Sequence, residues 1–136
     1  MYTSETFVRV RYGETDQMGF VYYGNYAMFY EVGRVEALRQ LGLSYKELED
    51  DGVMMPVLEN HSKFLLPALY DDHLKIVTTI REKPSVRIQF NYSIFNAQGK
   101  MLHEGHTLLA FVDKKTSRPC RPPQRFMEVL KPYFQI

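Results

Sequence analysis

The sequence contains very little cysteine, since Cys120 is the single thiol in a chain of 136 residues. One thiol cannot form a disulfide within the chain, so the fold must be held by the burial of apolar side chains. A domain of this length buries about two-thirds of the surface of its unfolded chain, so it needs neither a disulfide nor a structural metal ion. Low cysteine content is typical of a reducing compartment, and we therefore expect a cytoplasmic location.

The sequence also lacks an excess of charge and any long apolar run. Its 17 basic residues nearly balance its 16 acidic residues, and a chain without a basic field is not expected to bind nucleic acid. No apolar run approaches the roughly 18 residues of a membrane-spanning helix. The start of the chain, MYTSETFVRV, lacks the basic and then apolar pattern of a signal peptide. These absences favour a globular protein without a membrane span.

The length and the spacing of apolar residues predict a single domain over residues 1–136. Alternation at 7–12 predicts a half-buried strand, with Val8, Val10 and Tyr12 on one face. Further strands follow a helix, and they are predicted within 53–66, with an interruption at Pro56, and at 73–82, 85–95 and 101–112. Short turns join these later strands, so the sheet should be largely antiparallel and the fold α+β.

A helix is predicted from Asn25, its expected N-cap, to about Leu41, with Gly42 ending it. Its first two turns, from Tyr26 to Val32, are apolar on nearly every side. A helix of this kind is normally buried all round, and one sheet covers only one face. We therefore infer that a second subunit covers the rest, which predicts a homodimer or a homotetramer.

Residues 14–34, ETDQMGFVYYGNYAMFYEVGR, place Asp16 in a glycine-containing loop before this helix. A helix start offers free N–H groups and partial positive charge, which can hold a developing oxyanion. A carboxylate facing those groups can act as a base or as a nucleophile. The alternative is that Asp16 is an ordinary loop acid that makes a turn hydrogen bond. Glu31, a second acid in the segment, is expected to pair with Arg34 on the helix surface.

This segment resembles the active-site segment of hotdog-fold acyl-CoA thioesterases, above all the 4-hydroxybenzoyl-CoA thioesterase-like family. The matching residues are Thr15-Asp16, Gly19, Val21-Tyr22, Asn25-Tyr26, Phe29-Tyr30-Glu31 and Arg34. Weaker matches follow at 64–68, 70–72, Gly105, Val112-Asp113 and Arg118-Pro119. The resemblance covers about residues 7–125. It implies a hotdog fold, in which an antiparallel sheet of about five strands wraps around one long helix and two sheets join edge to edge in a dimer.

The resemblance also implies the roles of particular residues. It makes Asp16 the catalytic carboxylate and the backbone N–H of Tyr23 the oxyanion contact. Many relatives carry histidine at the position of Tyr23, and the role of that side chain does not transfer to tyrosine. Asn25 is a further candidate site residue, because it should fix the helix start where the carbonyl binds.

Coenzyme A is then part of the substrate, and no separate cofactor is expected. Its phosphates favour cations, and Lys83, Ser85 and Arg87 flank the turn before the long strand, near the region where relatives bind the nucleotide. A solvated basic edge explains these residues equally well. His103 and His106 lie three apart in a strand and should point to opposite faces, so no metal site is expected.

The sequence therefore predicts an enzyme that hydrolyses an acyl-CoA to free acid and coenzyme A, with Asp16 as nucleophile or general base. One alternative is a non-catalytic protein that binds acyl thioesters on the same scaffold. Another is a hotdog dehydratase or hydratase, which would need a histidine-centred acid and base. None of the four histidines lies in the loop and helix segment.

Overall fold

A curved antiparallel sheet wraps around one long helix in the computed structural model, which describes residues 1–134. The strands are β1 (Tyr2–Arg9), β2 (Val53–Met54), β3 (Val57–Phe64), β4 (His73–Ile80), β5 (Arg87–Phe95), β6 (Met101–Ala110) and β7 (Val112–Asp113). The helices are α1 (Tyr26–Gln40), α2 (Tyr45–Asp50) and α3 (Gln124–Leu130). Five strands form the main sheet in the order β1-β4-β5-β6-β3, and β2 pairs with β7. The predicted α+β fold with five strands around one helix is confirmed.

Helix α1 buries one face against the concave side of the sheet. The buried residues recur at helical spacing, and they are Tyr26, Phe29, Tyr30, Gly33, Arg34, Ala37 and Leu38. On the opposite face Met28 is 47% exposed. Within one chain the helix is therefore covered on one side only. The second subunit that should cover the other side stays a prediction.

Gly33 brings α1 unusually close to the sheet. A Cβ at this position would lie 2.5 Å from Oγ1 of Thr78 and 2.9 Å from Cγ2 of Ile76, both on β4. Any larger residue would have to push the helix away from the strand. Gly33 thus sets the depth of α1 and, through it, the position of the helix start.

The first strand differs from its prediction. β1 begins at Tyr2 and ends at Arg9, and Tyr12 lies in a single 3-10 turn, Tyr12–Glu14, with 77% of its surface exposed. Val10 leaves the sheet by exchanging backbone hydrogen bonds with the turn at Asp71 and Asp72 instead. The prediction of a buried Tyr12 was therefore wrong, because local turn bonding ends the alternation after Val10.

Strand β3 forms one edge of the sheet and is exposed along its whole length. One side pairs with β6, and no strand within residues 1–134 pairs with the other side. The apolar exposure continues past the strand end through Phe64, Leu65 and Leu66. A row of unpaired backbone groups of this length is a template for pairing with another chain.

Candidate active site

The loop before α1 is organised by Glu14, whose side chain is buried. Its carboxylate accepts a hydrogen bond from the Arg11 N–H at 2.7 Å. Its backbone carbonyl accepts from the Tyr22 N–H at 2.9 Å and from Nδ2 of Asn25 at 2.8 Å. Asn25 occupies the predicted N-cap position, but its side chain makes no capping hydrogen bond to the helix. It instead fastens the helix start to the loop.

The carboxylate of Asp16 uses its two oxygens differently. Oδ1 accepts hydrogen bonds from the N–H groups of Met18 at 2.9 Å and Phe20 at 3.2 Å. Oδ2 accepts no hydrogen bond from residues 1–134. Asp16 thus makes the turn bonds of an ordinary loop acid and still presents one unbonded oxygen. The turn holds this oxygen in a fixed direction, which suits a nucleophile or a base.

Asp16 and Tyr23 line the same open cleft, which has a volume of about 280 Å³. The remaining lining is almost wholly apolar, and it consists of Met18, Phe20, Val21, Tyr26, Phe64, Leu65, Leu66 and Pro67. Phe64 is the last residue of β3, so the cleft lies beside the unpaired edge of the sheet. The cleft can therefore take an apolar group next to an acidic residue of the loop.

Tyr23 begins a 3-10 turn, Tyr23–Asn25, that leads into α1. Its carbonyl accepts a hydrogen bond from the Tyr26 N–H. The N–H groups of Tyr23 and Gly24 donate to no backbone carbonyl within the described residues. Free donors at a helix start carry partial positive charge and can hold an oxyanion.

A buried polar cluster lies directly beneath the cleft, and sequence reasoning missed it. His103 on β6 stacks on the ring of Tyr26, with centroids 4.0 Å apart, and Phe64 packs edge-on against both rings. His103 Nε2 is hydrogen bonded to the Tyr30 hydroxyl, which also bonds Oγ of Ser62 at 2.7 Å. These contacts join the first two turns of α1 to strands β3 and β6.

The cluster is uncharged at neutral pH. Burial lowers the pKa of His103 to about 4 and raises the pKa of Tyr30 to about 12. Both shifts have the same cause, since removal from water disfavours the charged form of each group. Fully buried and neutral, His103 is not placed to exchange protons with a substrate in the cleft.

The three residues predicted to bind the nucleotide lie together in a second cleft, of about 310 Å³. Lys83, Ser85 and Arg87 line it with Arg81, which adds a third cation. Arg87 pairs with Ala110 at one end of β5, whereas Ile94 pairs with His103 near the other end. Seven residues of strand separate these positions, or about 23 Å. Within one chain the cation cleft and the Asp16 cleft are therefore far apart.

The predicted pair between Glu31 and Arg34 is absent from the ion pairs of the described residues. Arg34 is buried against the sheet, and its Nε donates to the Tyr45 hydroxyl at 3.0 Å. Glu31 lies on the exposed side of α1. The prediction was wrong because the Arg34 guanidinium points toward the partly buried hydroxyl of Tyr45 on α2 and not toward Glu31.

Residues 1–134 contain no group of three histidine, cysteine or acidic side chains close enough to hold a metal ion. None of the helices in this part of the chain is long and apolar enough to cross a membrane.

Comparison with known proteins gives consistent matches. A sequence model of the thioesterase-like superfamily matches residues 10–130. The acyl-CoA thioester hydrolase YbgC of Escherichia coli O6:H1 is 33% identical over 124 residues, which cover 91% of this chain and 92% of that protein. A solved DHNA-CoA thioesterase from Staphylococcus aureus is 34% identical with a TM-score of 0.85, covering 89% of this chain and 81% of that one. A 4-hydroxybenzoyl-CoA thioesterase shares the fold, with a TM-score of 0.85 at 19% identity over 96% of this chain and 100% of that one.

Proposed function

The chain belongs to the thioesterase-like superfamily, and from this premise we propose that it hydrolyses an acyl-CoA thioester to a free acid and coenzyme A. One observation carries the proposal: Asp16, which has an unbonded carboxylate oxygen, and Tyr23, which has a free N–H, line one apolar cleft. Relatives named as thioester hydrolases over nearly the full length of the chain support the same chemistry.

The thioester carbonyl would lie in the cleft with its oxygen near the Tyr23 N–H. Oδ2 of Asp16 would then attack the carbonyl carbon, which breaks the bond to sulfur, releases the coenzyme A thiolate and leaves a mixed anhydride for water to hydrolyse. Alternatively, the same oxygen takes a proton from water, and the resulting hydroxide attacks the carbonyl. In both routes the Tyr23 N–H stabilises the negative charge that develops on the carbonyl oxygen. The apolar lining would hold the acyl group and exclude water from it.

We further propose that two chains pair through the free edges of β3, as a homodimer or as half of a homotetramer. A two-fold axis through this edge makes the two β3 strands antiparallel, so the Val57 end of one lies beside the Phe64 end of the other. The partner's cation cleft then comes to the same end of the joined sheet as the Asp16 cleft. Each complete site would use Asp16 of one chain and the cations of its partner.

The assay that tests the function measures thiol release from a panel of acyl-CoA esters. We expect turnover that exceeds spontaneous hydrolysis for at least one acyl group. Saturable binding of acyl-CoA without thiol release would instead indicate a binding protein. Addition of water to an enoyl-CoA without thiol release would indicate a hydratase. Either result would contradict the proposed hydrolysis.

Reversing charge at the cation cleft should weaken recognition of the nucleotide. For Arg87→Glu we expect the KM for acyl-CoA to rise about tenfold or more, because loss of a charged hydrogen bond costs about 1.5–3 kcal/mol. The KM for the N-acetylcysteamine thioester of the same acid, which lacks the nucleotide, should change less than about twofold.

A matched control separates this contact from a general effect of charge. Lys46→Glu on α2 makes the same change in net charge and lies outside both clefts. It should leave both KM values unchanged. If Arg87→Glu raised KM equally for both substrates, the proposal that the nucleotide binds in this cleft would be wrong.

A further inference from the structure

We propose that His103 is a positioning residue, which fixes the turn that presents the Tyr23 N–H to the carbonyl. This inference rests on the proposed function, because it gives the buried cluster beneath the cleft a part in the same site. His103 itself is fully buried, so a substrate in the cleft would not reach it.

The first contact in this arrangement is the stack between His103 and Tyr26. The two rings are nearly parallel, with an interplanar angle of 8°, and Phe64 closes the side facing the cleft. Tyr26 is the first residue of α1, and its N–H donates to the carbonyl of Tyr23. A shift of the Tyr26 ring would therefore move the Tyr23–Asn25 turn directly.

The second contact holds the imidazole in place. Its Nε2 is bonded to the Tyr30 hydroxyl, one helical turn after Tyr26, and that hydroxyl is also bonded to Ser62 on β3. The Tyr30 ring in turn stacks on Tyr92 at 4.3 Å. His103 thus holds two successive turns of α1 at once and joins them to the strands beneath.

Gly105 shows how closely this arrangement is packed. A Cβ at Gly105 would lie 2.1 Å from the Tyr30 hydroxyl and 2.4 Å from the His61 carbonyl oxygen. The glycine lets the hydroxyl approach the sheet far enough to reach both His103 and Ser62. A close approach of this kind is one of the few physical reasons for glycine inside a strand.

The helix start therefore has two supports of different kinds. Asn25 fastens it to the loop that carries Asp16, and His103 fastens it to the sheet. A displacement of about 1 Å at an oxyanion donor costs up to about a hundredfold in rate. The predicted consequence of losing His103 is a lower kcat without a matching change in substrate binding.

The experiment compares two substitutions at one position. For His103→Leu, which removes the flat ring and the bond to Tyr30, we expect kcat to fall about tenfold or more, with KM within about twofold. His103→Phe restores a flat ring over Tyr26 and should recover most of the lost kcat. Hydrogen exchange of the Tyr26 N–H should be faster in His103→Leu than in the unchanged protein, and this readout does not depend on catalysis.

Thr107→Val provides a matched structural control. Thr107 lies on the same strand and shares a buried hydrogen bond of 2.7 Å with the Tyr92 hydroxyl, a bond that involves neither Tyr26 nor the Tyr23–Asn25 turn. It should lower Tm while leaving kcat and Tyr26 exchange unchanged. The inference is wrong if Thr107→Val lowers kcat as much as His103→Leu, or if His103→Leu leaves kcat and exchange unaltered. Absence of thiol release by the unchanged protein would instead refute the proposed function, while the exchange readout would still test the role of His103.

Discussion

Asp16→Asn is expected to reduce thioester hydrolysis about 10³-fold and to leave the fold intact. Asparagine keeps a carbonyl oxygen that can accept the hydrogen bonds from Met18 and Phe20, so the turn should survive. What changes is the unbonded Oδ2, which becomes an amide nitrogen with neither nucleophilic nor basic character. The measurement is thiol release in the steady state, with circular dichroism and Tm as tests of folding.

Asp113 offers a control with nearly the same geometry. Its Oδ1 accepts hydrogen bonds from the N–H groups of Lys115 at 2.8 Å and Thr116 at 3.0 Å, in a turn that does not line the Asp16 cleft. Asp113→Asn therefore makes the same chemical change in the same kind of turn and should retain activity. Full activity in Asp16→Asn would remove Asp16 from the mechanism. A single turnover in heavy-oxygen water distinguishes its two roles, because label entering the Asp16 carboxylate indicates direct attack.

Mixing two defective chains is expected to restore activity, because each complete site should draw on both subunits. In a dimer of one Asp16→Asn chain and one Arg87→Glu chain, one site combines both defects. The other site combines an unchanged Asp16 with an unchanged Arg87 from the partner. Random pairing makes about half of the dimers mixed, so about a quarter of all sites should regain the original KM.

The outcome of the mixing experiment separates three arrangements. If Asp16 and Arg87 of the same chain shared a site, no mixture could contain an unaltered site, and the low KM would not return. A monomeric protein would give the sum of the two variants alone. Sedimentation should accompany the kinetics, since the proposal requires a particle of at least twice the chain mass of 16.0 kDa. A fully active particle of one chain mass would contradict the shared site.

Elements with strong local signals were predictable from the sequence. The helix predicted from Asn25 to about Leu41 is observed as Tyr26–Gln40, and Gly42 takes the positive φ that ends it. The cap of α2 depends on adjacent residues only, with the Glu47 N–H donating to Oγ of Ser44 at 3.1 Å. Such features are encoded within a few residues, where composition and spacing are informative.

The cluster under the cleft could not be predicted in the same way. Alternation along β6 would place Leu102 and His103 on opposite faces, yet both are buried. A register shift against β5 at Ile94 and Phe95 breaks the period of two at this point. Arg34 and Tyr45 likewise meet only after α2 folds back on α1. Contacts of this kind depend on tertiary packing. The one sequence feature that pointed to them is Gly105, because a glycine inside a strand often marks a close approach by another group.

The free edge of β3 also bears on how the protein is made in the cell. A folded chain that has not paired displays eight residues of strand with one free edge, without a proline and ending at the exposed Phe64. In this state the edge is equally available to any other extended chain. If two chains pair through this edge as proposed, a high concentration of new chains should speed that pairing and also speed aggregation. Slow synthesis at low temperature should raise the yield of soluble protein. Charged substitutions on exposed side chains that point away from the free edge of β3 should have the same effect.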